Sequence, residues 1–158
     1  SKYNVGYNRG LPDSISYAMA YFTGSVTQGA NATYTLVDTT SGFVDESSQR
    51  MTVNTDGEIT YNGSKPIFAT LMFNISGLSE NNSGVYDFTI FRSGSTIGNS
   101  ELSGAASSVL NIQNGDSINF ASNYVTQIQP GEKFGAYVRE TGGGGGCTVN
   151  TIQFSIKE

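Results

Sequence analysis

The chain has 158 residues, only 13% of them charged, with a formal net charge of −5 and no histidine. Its basic residues stand singly, which excludes a phosphate-reading nucleic-acid binder, and without histidine neither a Ser-His-Asp nor a Cys-His catalytic arrangement can form within the chain. No apolar run approaches the roughly 20 residues of a membrane span, and a single cysteine, Cys147, leaves no internal disulfide.

Residues 1–14 carry Gly6, Gly10 and Pro12 without a clear period and are expected to be a leader or stalk junction, since the chain opens on Ser1 and a preceding part is taken to be missing. Residues 15–158 are expected to form one domain, long enough to fold without metal or disulfide. Ser16–Phe22 reads as the first strand, with Tyr17, Met19 and Tyr21 alternating against Ala18, Ala20 and Phe22, so both of its faces are apolar. Thr33–Val37 reads as a second strand and 38–48 as a polar loop around Phe43 and Val44. Met51–Val53 and Glu58–Tyr61 read as a hairpin turned at Asp56-Gly57.

The most informative stretch is Pro66–Ile75, bounded by Pro66 and Gly77. Ile67, Ala69, Leu71, Phe73 and Ile75 form one face; Phe68, Thr70 and Met72 form the other, which turns polar only at Asn74. A strand with one wet face alternates apolar with polar. This one does not, so both faces need a cover. One cover is an opposing sheet, and a partner subunit is the simplest second; a larger single-chain core and a short buried helix are the alternatives.

Val85–Arg92 reads as a half-buried strand, Tyr86, Phe88 and Ile90 pointing one way and Asp87 and Thr89 the other. Ser93-Gly94-Ser95 is expected to turn it into Thr96-Ile97, with 98–106 a small, polar connection. Ser107–Ile112, a turn at Asn114-Gly115-Asp116, Ser117–Tyr124, a turn at Pro130-Gly131 and Phe134–Val138 follow. After the five glycines of 142–146 comes Thr148–Ile156, a strand so near the chain's end that it must be paired and is expected to be central. No segment keeps a 3.6-residue period. About ten short strands separated by Gly, Asn and Ser turns describe an antiparallel all-β sandwich or barrel.

Three stretches resemble the trimeric jelly rolls of the tumour necrosis factor and complement globular-head superfamily. They are the strand 66–75; Val85–Ile97, a strand ending in a hairpin; and Ser103–Phe120, with its Ser-Gly, apolar strand, Gly-Asp, apolar strand order. A terminal apolar strand closes that fold too, and the resemblance spans roughly 16–158. It implies a tumour necrosis factor-like jelly-roll sandwich in which strands 16–22, 66–75, 116–124 and 148–156 form an inner sheet. The outer face of that sheet would meet two further copies across a threefold axis. Tyr17, Met19, Tyr21, Phe68 and Met72 are then the candidate trimer-interface residues, with the opposite parity left open because a one-residue slip exchanges the faces.

The architecture also occurs in head domains of viral and bacteriophage fibres and spikes. The absence of disulfides, the Ser/Asn/Gly surface and the presumed preceding part look most like that group. The resemblance therefore implies a non-enzymatic attachment head at the C-terminus of a trimeric viral, phage or bacterial fibre or spike, on a virion or extracellular surface. Its partner would be a cell-surface receptor or glycan, and no cofactor is implied. Arg139 with Gly142, Gly143, Gly144, Gly145 and Gly146 is the candidate receptor-binding loop; the glycines read either as a segment that adapts to a partner or as a plain connection.

Other readings stay in view: a monomeric carbohydrate-binding module of a secreted protein, a purely structural trimerisation cap, and a glycosidase-like enzyme using Asp45 and Glu46 or Asp56 and Glu58. Asp38, Asp45 and Glu46 could supply oxygen ligands to calcium. Tyr61, Tyr124 and Phe43, near predicted turns, are read as edge-of-core residues rather than sugar platforms, and Arg92 and Arg139 as solvated.

Overall fold

A computed structural model describes residues 15–158 except 38, 81, 95–99 and 144. The expected leader 1–14, the strand Thr96-Ile97, Asp38 and Gly144 lie outside the described residues. The strands are β1 (Tyr17–Gln28), β2 (Thr35–Leu36), β3 (Val44–Gln49), β4 (Met51–Val53), β5 (Glu58–Tyr61), β6 (Ile67–Ser79), β7 (Gly84–Ser93), β8 (Ser100–Ile112), β9 (Ser117–Ile128), β10 (Lys133–Glu140) and β11 (Cys147–Lys157). They form two antiparallel sheets, a five-stranded one in the order β3-β1-β11-β6-β9 and a six-stranded one with β4-β5-β10-β7-β8 in order and β2 also paired to β10. Most connections cross from one sheet to the other, as a jelly roll requires. The inner sheet implied by the resemblance is present, and β11 lies in its middle, paired to β1 and to β6.

The sandwich forms because alternate residues of both sheets are apolar. β6 turns Ala69, Leu71, Phe73 and Ile75 inward, β11 turns Ile152, Phe154 and Ile156, and β7 supplies Tyr86, Phe88 and Ile90 from the other side. Phe73 meets Phe120 and Phe154 at 5.6 Å in each case, and Phe120 stacks on Phe88 across the sheets at 5.2 Å. Each such ring pair adds about 0.5–1.5 kcal/mol beyond area burial. The Asp56-Gly57 hairpin is as read: Met51 pairs with Tyr61, Gly57 has φ 109°, and Asp56 Oδ1 accepts from the Glu58 amide.

Four expectations are corrected. The loop read over 38–48 contains β3, which pairs Val44 with Tyr21 and Gln49 with Tyr17 along the sheet edge. An edge strand is held by backbone hydrogen bonds on one side and needs no apolar alternation, so Asp45-Glu46-Ser47-Ser48 gave no strand signal. Of the connection read over 98–106, residues 100–106 belong to β8, which runs from Ser100 and pairs with β7 through a register shift. The strand read at 33–37 shrinks to Thr35–Leu36. Asp87 and Thr89, expected in water, are both buried. A Phe73→Ala substitution is expected to lower the unfolding free energy by about 3–5 kcal/mol, read from the midpoint of urea denaturation at unchanged m-value.

Candidate functional site

Pleating sends every second residue of the five-stranded sheet away from the core, and the register puts these residues in rows. One row runs Met19, Ser155, Met72, Asn123; the next runs Tyr17, Lys157, Thr70, Val125. A third runs Tyr21, Gln153, Asn74, Ala121, with Val44 paired beyond Tyr21. Phe68 lies on the same face, opposite Gln127. The parity left open by the sequence is thereby fixed: Tyr17, Met19, Tyr21, Phe68 and Met72 all point outward from one surface.

That surface concentrates exposed apolar side chains. Phe68 is 69% exposed, Val125 64%, Met19 48% and Met72 47%. Val44 and Leu78 complete the set of exposed large hydrophobics among the described residues, and by register both project from this same face. Single exposed apolar residues are ordinary; six gathered on one sheet face mark an interaction surface. At its centre is an open depression of about 640 Å³. Thr151, Gln153 and Ser155 of β11 floor it, and Met19 and Tyr21 face Met72 and Asn74 across it.

The candidate receptor-binding residues lie elsewhere and do not form one group. Arg139 is on β10 rather than in the loop. Its Nε donates to Asp87 Oδ2 at 2.7 Å, and its guanidinium carbon lies 4.5 Å from the centre of the Tyr34 ring. The glycine run is tied down at its two ends. Gly142 donates its amide to Oε1 of the buried Glu140 at 2.5 Å, and the Val85 amide reaches the same oxygen at 3.3 Å. A Cβ at Gly142 would run into the Ser83 carbonyl oxygen, and one at Gly146 into that of Gln28. Gly143 and Gly145 hold left-handed conformations, with φ 95° and 60°. The buried Tyr86 hydroxyl donates to the Gly146 carbonyl at 2.5 Å, and burial pushes that phenol's pKa up, so it stays a donor. An open cleft of about 360 Å³ separates Ala30, Asn31 and Ala32 from Thr141, Gly143 and Gly145.

The remaining candidates have structural partners. Asp45 is exposed and accepts from Ser48 Oγ at 2.6 Å. Among the described residues no three His, Cys, Asp or Glu side chains gather as a metal site. Phe43 and Tyr61 are buried and Tyr124 packs against the core, as read. Arg92, read as solvated, instead donates to Thr126 Oγ1 at 2.6 Å and lies 3.7 Å from Glu132. Cys147 is buried, and burial, followed by the nearby Glu80 carboxylate, pushes its thiol up to about 12.

One cluster was not anticipated. On the exterior of the six-stranded sheet Tyr34 meets Phe91 edge-on at 5.3 Å, and Phe91 stacks on Tyr137 at 4.2 Å. Shared parity of Tyr137 with Arg139, and of Phe91 with Asp87, was readable along each strand. That β7 and β10 are neighbours was not.

No protein-family model matches the chain, and no curated protein matches it in sequence. Solved structures share its fold. Eiger TNF from S. frugiperda aligns with TM-score 0.64 at 14% identity, covering 90% of this chain and 93% of that one. Murine APRIL aligns with TM-score 0.64 at 9% identity, covering 91% and 99%. The globular domain of zebrafish complement 1qA protein aligns with TM-score 0.58 at 11% identity, covering 90% and 96%. The fold is thus the jelly roll of tumour necrosis factor and complement head domains.

Two predictions follow from the local geometry. In the native state at pH 8 a maleimide should leave Cys147 unmodified, and in denaturant it should label one thiol per chain, read by intact mass. Gly146→Ala should cost about 1–3 kcal/mol in urea unfolding, because the added carbon meets backbone rather than a movable side chain.

Proposed function

We propose that the chain is a homotrimeric attachment head at the C-terminal end of a viral, phage or bacterial fibre or spike, acting by binding rather than by catalysis. The observation that carries this reading is the outer face of the five-stranded sheet, where Met19, Phe68, Met72 and Val125 stand exposed together. Two further copies packed about a threefold axis would cover that face, with Tyr17, Met19, Tyr21, Phe68 and Met72 in the interface. Rotational symmetry closes such a head-to-tail contact into a ring of fixed size. The face carries few charges, Lys157 and Glu46 among them, so packing copies of it together brings little repulsion. The likeness in fold to Eiger TNF and to a complement globular domain supports the same arrangement.

Receptor contact is assigned to the surfaces a trimer leaves free. Arg139 and the segment Gly142–Gly146 belong to them, beside the cleft rimmed by Asn31, Gly143 and Gly145. Gly142, Gly143, Gly145 and Gly146 offer a partner backbone groups in a fixed shape. Three linked copies raise the effective concentration of weak sites, which suits attachment to a surface crowded with receptors or glycans. Such a head belongs on a virion or on an extracellular fibre.

Absolute mass by light scattering over a range of concentrations tests the assembly. A protomer of 16.8 kDa predicts a particle of about 50 kDa. Met72→Lys should reduce it to a monomer that keeps its β circular dichroism, because a lysine charge cannot be buried unpaired in the interface. A wild-type monomer at every concentration would overturn the trimer and leave a monomeric carbohydrate-binding module as the better reading. A trimer that fails to adhere to any cell surface would leave only a structural cap.

A further inference from the structure

We propose that the exterior of the six-stranded sheet carries a binding platform for a neutral sugar, formed by the rings of Tyr34, Phe91 and Tyr137 with the Arg139–Asp87 pair at its border. The inference names a ligand class for the attachment reading. It rests on that reading only for avidity, since the platform is complete within one chain.

Three observations carry it. The first is the arrangement of the rings. Phe91 and Tyr137 stack at 4.2 Å with an interplanar angle of 23°, and Tyr34 stands against Phe91 at 61°. All three are half-buried, each leaving part of its surface to solvent on the side of the sheet away from the core. The C–H face of a hexose is apolar and fits against such rings.

The second is a preset donor. Asp87, itself buried, holds Arg139 through Nε at 2.7 Å, and the Tyr34 ring supports the guanidinium at 4.5 Å. The side chain therefore does not lose its freedom again on binding. Among the described residues nothing engages its two terminal amino groups, which remain available to sugar hydroxyls. A guanidinium fixed from behind by a carboxylate and from one face by a ring is the support that a binding group requires.

The third is the charge balance, which selects the ligand class. Glu101, exposed on β8, lies close enough to Tyr34 and Arg139 to act on both. With Asp87 it makes two carboxylates to one guanidinium. An acidic sugar would meet net negative charge. A neutral polyol can donate its hydroxyls to a carboxylate and accept from Arg139. The cluster also roofs Thr89, buried on the same face of β7. Roofing alone, however, needs apolar bulk and not a positioned guanidinium.

The platform is on the opposite sheet from the apolar face formed around Met72, so a trimer would show three copies of it outward. The test uses the whole chain, applied to a printed array of neutral and sialylated oligosaccharides and then titrated with the retained neutral oligosaccharide in free form. The expected result is retention on neutral glycans, with a single-site Kd on the order of 0.1–1 mM. Phe91→Leu and Tyr137→Leu preserve apolar cover but remove the rings, and each should weaken binding at least tenfold. Arg139→Lys keeps the charge and loses the planar fork, and should weaken it similarly. All three should keep the wild-type mass and circular dichroism, which separates loss of the platform from loss of fold. No retention of any neutral glycan would overturn the proposal, as would binding that survives both Leu variants or a preference for the sialylated set. A trimer without glycan binding would sink the platform and spare the attachment head; glycan binding by a stable monomer would do the reverse.

Discussion

The five-stranded sheet depends on its last strand. β11 lies between β1 and β6, and until it arrives those two have no partner on their facing edges. Its pairing joins the two ends of the domain: Tyr17 faces Lys157, the Ser16 amide donates to Glu158 Oε1 at 2.8 Å, and the Glu158 amide donates to the Ser16 carbonyl at 3.0 Å. Contacts this distant in sequence are slow to form, because the loop entropy is lost before the hydrogen bonds return it. Once β11 is in place, Ile152, Phe154 and Ile156 close the floor of the core, and Phe73 gains the ring of Phe154.

The same strand gives the outer face its character. β11 alternates large apolar residues inward with Thr151, Gln153 and Ser155 outward. Its neighbours β1 and β6 do not make that switch, and place Met19 and Met72 on either side of it. The result is a trough with a polar floor and apolar banks. The inward face has its cover in the six-stranded sheet; the outward face has none among the described residues. A proposed threefold assembly answers that asymmetry with copies of the same surface.

The two sheets divide the work differently. The six-stranded sheet buries polar groups on its outer side and satisfies them there. Asp87 is neutralised by Arg139, and Thr89 Oγ1 donates to the Leu102 carbonyl at 3.1 Å. Among the described residues, aromatic rings shield that side. At the end of the sandwich Glu140 serves as an internal acceptor for the amides of Gly142 and Val85, which fixes a glycine-rich turn that would otherwise wander. A buried carboxylate in this role is a structural group. Cys147 is likewise held as a buried thiol.

Period-two alternation along single strands was fully legible in the sequence, and with it the all-β class, the Asp56-Gly57 hairpin and the two-faced character of Pro66–Ile75. Alternation reports burial, so it was silent on β3, an edge strand whose residues are exposed or half-buried, and weak on the first half of β8, which gives the core only Ala105 and the partly buried Leu102. It was equally silent on which face of a two-faced strand turns inward, since Phe68 and Leu71 are both large and apolar. Only the register against β11 and β9 decided that. Composition left 142–146 as either an adaptable segment or a plain connection, whereas the carbonyls of Ser83, in the turn before β7, and of Gln28, at the end of β1, make glycine a steric requirement at its two ends. Arg139 looked solvated because nothing within a few residues could pair with it; Asp87 is 52 residues away and arrives only when β7 lies beside β10. Local sequence thus determined what each strand could bury, and tertiary structure decided what each side chain meets, because pairing between distant strands sets register and register sets neighbours.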